Sequence, residues 1–192
     1  ARIIATPDVL KLKLAQTIHE LLTHKHEADR LVTEISDMRQ RVVREHPAPT
    51  PWDIKYRRGG LMDLEFVAQY LQLRHASANP AVLSVRTSDA LLQLAAAGHL
   101  EMKTADELLS ALRLWQHLQG KLRLMLTDNS DVEAAPRGLH RVLIRNTKAK
   151  SFSALKDEMN DTAQHVMAHF KRLIDDPAAA ARHRTEVAND EN

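Results

Sequence analysis

Asp53-Ile54-Lys55-Tyr56-Arg57-Arg58-Gly59-Gly60-Leu61-Met62-Asp63-Leu64-Glu65-Phe66 sets a basic run against a glycine pair, then opens a segment rich in apolar residues that carries two acids. Glycines free the backbone and let a ligand or another segment approach closely. A helix start aims unpaired N–H groups and a positive dipole end at whatever sits there, which suits an anion such as a phosphate. At helical spacing, Leu64, Val67, Ala68 and Leu71 form one apolar arc and Phe66, Tyr70 and Leu73 a second. Glu65, Gln69, Gln72 and Ala76 lie between them, while Asp63 falls among the apolar positions. A helix apolar on two sides packs in more than one direction, so this one is predicted to be central in a helical bundle.

Outward from that helix, every long segment keeps helical rather than alternating periodicity. Thr6-Pro7-Asp8 reads as a helix start, followed by Leu10, Leu14, Ile18, Leu21 and Leu22 on one face. A second helix is predicted over about 28–44 with Leu31, Ile35, Met38 and Val42 as its stripe, separated from the first by Thr23-His24-Lys25-His26. The prolines of His46-Pro47-Ala48-Pro49-Thr50-Pro51 end it. The central helix ends near Arg74 or Ala76, and Asn79-Pro80 is a break. A fourth helix is expected over about 88–97, closing on Gly98. Thr104 and Glu107 have capping-box spacing ahead of a fifth helix that buries Leu108, Leu112, Trp115, Leu118, Leu122 and Met125. Asp128-Asn129-Ser130-Asp131 reads as a loop, 137–145 as a short sixth helix, and 154–174 as a long seventh with Leu155, Met159, Val166, Phe170 and Leu173 as its seam. The reading is an all-α helical bundle of about six or seven helices: one domain over 1–176 and a flexible polar tail over 177–192.

Composition agrees and excludes several classes. The 192 residues can build a real core, with 44% hydrophobic and 27% charged residues. The absence of cysteine removes disulfides and thiolate metal sites and fits a reducing, cytoplasmic compartment. No apolar run reaches membrane-spanning length, and no signal sequence opens the chain. The chain starts without a methionine, which suggests a piece of a longer protein. A net charge of +2 argues little for nucleic acid.

Two readings of the central stretch stay open. In the structural one, Asp63 takes a first-turn position favoured by the dipole and pairs with an arginine, because a buried acid without a partner is costly. Gly59-Gly60 is then a tight turn, and Lys55, Arg57 and Arg58 are solvated. In the functional one, this end of the helix walls a nucleotide, regulatory-ligand or domain-interface site formed by Lys55, Gly59, Gly60, Asp63 and Glu65.

The order Asp53-Ile54-Lys55, Gly59-Gly60, Asp63, Glu65-Phe66 and Gln69-Tyr70-Leu71 closely resembles glutamine synthetase adenylyltransferase. In that bacterial family, two homologous halves each pair a polymerase-β-like nucleotidyltransferase domain with an all-helical domain. The motif looks like the helical domain of the C-terminal, adenylylating half. Ala1-Arg2-Ile3-Ile4, the Glu34-to-Arg41 stretch and Arg74-His75-Ala76 extend the likeness over the first two-thirds of the chain. Arg57 and Arg58 depart from the family pattern, and no function is carried onto them. The resemblance implies a parent that moves AMP from ATP onto a tyrosine of glutamine synthetase and removes it by phosphorolysis. It implies ATP and magnesium as the parent's cofactors, and glutamine and a PII signalling protein as its regulators. The family's metal-binding Asp-x-Asp after a Gly-Ser loop is absent from these residues. The chain is therefore expected to hold no catalytic residue and no bound cofactor of its own, and to work against the nucleotidyltransferase domain.

Arg137, Arg141, Arg145 and Lys148 recur at spacings of four, four and three, either a solvated face or a basic surface for phosphates or an acidic partner. The second gives the alternative function, a non-enzymatic helical module that binds a signalling partner. Nucleic acid is disfavoured by the scarcity of aromatic stacking residues. His165 and His169 lie one turn apart with Asp161 a turn earlier, but no third strong ligand accompanies them, so no metal site is expected. Arg113, His117 and Lys121 line up as another solvated face.

Overall fold

The computed structural model describes residues 7–125 and 131–190. All of their regular structure is helical: α1 Asp8–Leu22, α2 Ala28–Glu45, α3 Leu61–His75, α4 Thr87–Ala96, α5 Met102–Met125, α6 Arg137–Ile144, α7 Phe152–Phe170 and α8 Asp176–Asp190. A 3₁₀ turn at Pro80–Val82 precedes α4, and a π turn at Lys171–Asp175 carries α7 into α8 without a break. Counting that continuous pair once gives seven helical rods among the described residues, an all-α bundle as the periodicity implies. Thr6 and residues 126–130, most of the Asp128–Asp131 loop, lie outside the described residues.

α3 is central, packed against α2, α4, α5 and α7. Leu64, Val67, Ala68, Tyr70 and Leu71 are buried on its several sides, and α4, α5 and α7 supply Leu91, Leu94, Leu108, Trp115, Leu118, Met159, Val166 and Phe170 around it. The side read as polar closes at its C-terminal end. Ala76 is fully buried, and buried Gln72 is satisfied by the carbonyl of Ala68 and the N–H of Ser84. Local signals set the other boundaries. Glu27 accepts the N–H groups of Asp29 and Arg30 to start α2, Ser151 that of Ala154 to start α7, and Gly98 turns the chain after α4 at φ +74°.

Several expectations shift. The buried face of α2 is Leu31, Val32, Ser36 and Arg39, one residue on from the stripe read from hydrophobicity, and Met38 is 51% exposed. The polar members Ser36 and Arg39 displace the stripe because each meets a carboxylate in the neighbouring elements. The Thr104–Glu107 capping box does not form. α5 begins earlier, Thr104 is buried and accepts from Arg172, and Glu107 accepts from His169 at 2.6 Å. At the end of α5, Met125 is exposed rather than core.

The tail read as flexible from 177 is helical to Asp190 and packs along α2. Ala178 and Ala181 are buried, Arg182 pairs with Asp37 at 2.6 Å, and Arg184 grips Asp29 with two hydrogen bonds. Alanine has the highest helix propensity, and its small side chain lets two helices approach. Pro177 would clash with the turn before it in a regular helix; the π turn immediately upstream loosens that turn. α1 behaves in the opposite way. It is not packed into the bundle to a comparable extent, and Leu10, Leu12, Leu14 and Leu21 are exposed.

Candidate functional site

The turn at Gly59-Gly60 is locked from three directions. Gly59 adopts φ +74°, and a Cβ there would stand 2.1 Å from the carbonyl oxygen of Ala163 on α7. Only glycine fits both the conformation and the contact. Trp115 of α5, fully buried, donates its indole N–H to the carbonyl of Gly59 at 3.0 Å. A Cβ at Gly60 would meet the carbonyl of Ile54 at 2.3 Å. The close approach that the glycines permit is therefore made by the chain itself.

Asp63 holds the same turn from inside. Its carboxylate is 0% exposed and accepts from Arg39 Nε at 2.5 Å and from the Gly59 N–H at 2.6 Å, with Arg58 Nε at 3.6 Å. Arg39, likewise 0% exposed, donates from Nη2 to the carbonyl of Tyr56 at 3.1 Å, while its Nη1 is buried without a partner among the described residues. A buried pair of this kind is strongly destabilising when one member is removed, because the other charge stays uncompensated. The structural reading of Asp63 thus has its arginine.

The remaining N–H groups at the helix start are also engaged. Gly60 donates to Arg57, Leu61 to Ile54 and Met62 to Lys55, at 3.0, 3.0 and 3.1 Å. With the Gly59 N–H on Asp63, four successive donors are satisfied internally, so this start does not present the free donor cradle that a phosphate uses.

Two members of the stretch face outward. Lys55 is exposed, and Glu65 is half-buried with no hydrogen bond among the described residues. Burial pushes the Glu65 carboxyl above the usual carboxylate range, and the nearby Lys55 charge pulls it part of the way back. Arg57 is a tie rather than a solvated charge. It donates to the carbonyl of Pro51 and to Asn160 of α7, lies over the Trp115 ring at 5.3 Å, and has its pKa lowered by burial. Arg58 lies over the Phe170 ring at 4.7 Å and bridges Asp63 and Asp175 at 3.6 and 3.5 Å.

Elsewhere, Arg137 and Arg141 are exposed on α6, whose Leu139 and Leu143 are buried. Arg145 and Lys148 are exposed too, but α6 ends at Ile144 and the chain turns at Asn146 with φ 69°, so the four do not share one helix. Lys121 and His117 are not a solvated face. Lys121 Nζ donates to the carbonyls of Val142 and Arg145, and His117 Nε2 to that of Arg145 at 2.8 Å, so both cap the end of α6. Desolvation first, and Arg145 second, lower the Lys121 pKa. His169 turns to Glu107, whereas Asp161 and His165 line an open groove between α5 and α7 that Lys148 also borders. Among the described residues no three His, Asp or Glu side chains are placed to hold a metal.

A family model described as GlnD PII-uridylyltransferase matches residues 29–174, from α2 to the π turn. The chain belongs to that family. It is also similar to curated proteins named bifunctional glutamine synthetase adenylyltransferase/adenylyl-removing enzyme. That of Rhodopseudomonas palustris is 37% identical over 174 residues, 91% of this chain and 18% of the relative. That of Bradyrhizobium diazoefficiens is 33% identical over 181 residues, 94% and 18%, and that of Xanthobacter autotrophicus 33% over 178 residues, 93% and 18%. The chain thus spans less than a fifth of these relatives' length. The family match contains the locked turn together with its partners Arg39, Trp115 and Ala163; α1 and α8 fall outside it.

The sequence places Gly59, Gly60 and Asp63 in one stretch but does not name the residues that the fold sets against them. Arg39 was detectable in principle, since it sits in phase with Leu31, Val32 and Ser36, where a charge needs an opposite charge. Nothing in the sequence distinguishes Trp115 from an ordinary core aromatic, and the role of Ala163 depends on tertiary placement alone.

Proposed function

We propose that this chain is the helical regulatory and substrate-binding domain of a bifunctional enzyme that adenylylates and deadenylylates glutamine synthetase, from its adenylylating half. The observation that carries the reading is the motif-bearing stretch, held rigid by Arg39, Trp115 and Ala163, within a chain that matches such relatives over 91% of its length. Gly59, Gly60 and Asp63 set the geometry, and Lys55 and Glu65 form the outward edge that meets the nucleotidyltransferase domain. A half-buried carboxyl without a hydrogen bond is a group that a partner surface can satisfy.

The residues described here do not fit a magnesium ion or a triphosphate at the glycine turn, because the helix-start donors are used and no ligand cluster is assembled. ATP, magnesium and AMP transfer belong to parts of the enzyme outside this chain, which alone does not transfer AMP. The exposed leucines of α1 support coverage by another part of a larger protein. Glutamine synthetase is the protein substrate, and glutamine and a PII signalling protein are the regulators whose binding this domain relays. The setting is cytoplasmic; no helix among the described residues is long and apolar enough to cross a membrane.

A second reading rests on the exposed cations Arg137, Arg141, Arg145 and Lys148: an interaction module for an acidic signalling partner. Adding the nucleotidyltransferase domain as a separate polypeptide distinguishes the two. The domain reading expects a complex weakened by Lys55→Ala and Glu65→Ala but not by Arg141→Ala. Titration with PII protein, glutamine and ATP completes the comparison: binding of PII alone, abolished by Arg141→Glu and indifferent to the motif, would favour the module.

A further inference from the structure

Arg58 lines a cleft of about 450 Å³ formed where α2, the glycine turn, the π turn and α8 meet. Its lining is Ser36, Gln40, Arg44, Arg58, Asp175 and Arg182, with Val43 at the edge. Three guanidinium groups and one carboxylate thus line it, and Asp37 pairs with Arg182 from outside the lining, which leaves one positive charge in excess.

The carboxylates nearby do not use up the donors of these groups. Asp63 is already taken by Arg39 and the Gly59 N–H, leaving Arg58 at 3.6 Å, and Asp175 lies at 3.5 Å from Arg58 while accepting from Ser36. Both distances are too long for good hydrogen bonds, so Arg58 makes ion pairs but no hydrogen bond among the described residues. Arg44 has no hydrogen bond or ion pair at all among them. Arg182 is engaged on one side by Asp37 at 2.6 Å, outside the lining. A guanidinium carries five donors in a planar fork suited to tetrahedral oxyanions. Stacking on Phe170 and the pull of Asp63 and Asp175 pre-position Arg58.

We infer that this cleft is a binding site for a phosphate dianion, free or carried on a small molecule as a monoester, held by Arg44, Arg58 and Arg182 with Gln40 at its rim. Arg44, Arg58 and Arg182 each keep guanidinium N–H groups without a hydrogen bond among the described residues, and three such forks match the several oxygens of a phosphate better than the two of a monocarboxylate. The site is distinct from the Lys55–Glu65 edge. Its occupancy ties α2, the glycine turn and α8 together, because Arg44, Arg58 and Arg182 come from those three elements.

The test is a titration of this chain followed by backbone amide NMR, with inorganic phosphate, AMP and adenosine as probes and chloride at matched ionic strength as the control. Saturable shifts at Ser36, Gln40 and Arg58 with phosphate, and none with adenosine or chloride, are expected. AMP tighter than phosphate would identify a nucleotide monoester as the preferred source, and equal affinities the free ion. Arg44→Ala, which removes a side chain with no partner in the fold, should weaken binding about tenfold. Gln40→Glu, which places a carboxylate at the rim of the cleft without touching the core, should do the same and decides the matter should Arg44→Ala fold poorly. Shifts that grow linearly, are reproduced by chloride, or persist unchanged in Gln40→Glu would overturn the proposal.

Discussion

Asp63 and Glu65 stand two residues apart on α3 and have opposite situations. Asp63 is sealed in the bundle with two hydrogen bonds from Arg39 and Gly59, whereas Glu65 is half-buried with no hydrogen bond and a proton affinity raised by burial. The difference separates what holds the motif from what the motif offers. Its inner face (Asp63 and Gly59, with their partners Arg39 and Trp115) is consumed by the fold, and its outer edge (Lys55, Glu65), whose side chains make no hydrogen bond among the described residues, is the part we propose meets a partner.

The contrast breaks most visibly on the inner side. Asp63→Ala should destabilise the chain by about 3–5 kcal/mol in urea unfolding, since it strands Arg39 in the core. A loss under about 1 kcal/mol would mean that Asp63 is no more structural than Glu65. Gly59→Ala comes next, at about 3 kcal/mol, from a left-handed backbone and a Cβ driven into the Ala163 carbonyl. Its companion Gly98→Ala, with the same φ but open space around it, should cost clearly less. Trp115→Phe removes the donor to the Gly59 carbonyl and should cost about 1–3 kcal/mol, with the helical circular dichroism of the fold retained.

On the outer side the effects are small and carry a pH signature. Because the Glu65 pKa is raised in the folded state, the fold holds this proton more tightly than the unfolded chain does. That contribution is fully present below the ordinary value of 4.5 and is lost as pH rises through the raised folded value. Glu65→Gln should therefore flatten the stability profile through that window and leave the chain slightly more stable at neutral pH, by less than about 1 kcal/mol. A variant less stable than the parent at neutral pH would assign Glu65 an ion pair within the fold.

The helical class and most of the rods were legible because leucine periodicity and proline, glycine and serine boundaries act locally. The shifts came from tertiary demands. Arg39 and Ser36 moved the buried face of α2 by one residue, since polar groups with partners can replace apolar ones in a core. Thr104 and Glu107 have the capping spacing, but their side chains meet Arg172 and His169 from another helix. Polarity suggested a loose end beyond 176; alanine propensity and two arginine–aspartate pairs made a helix of it. Of the candidate site, the position of the turn was readable. The internal use of its donors was not, because that depends on Ile54, Lys55 and Arg57 carbonyls folding back over the helix start.

The most direct test of the division between inner and outer faces, and of the proposed function with it, pairs two measurements on the full-length protein carrying Lys55→Ala and Glu65→Ala. The account predicts melting temperatures close to the parent and a rate of AMP transfer to glutamine synthetase reduced about tenfold, the loss of one or two charged contacts at a domain edge. Unchanged transfer by both variants, with the parent's melting temperature, would contradict it.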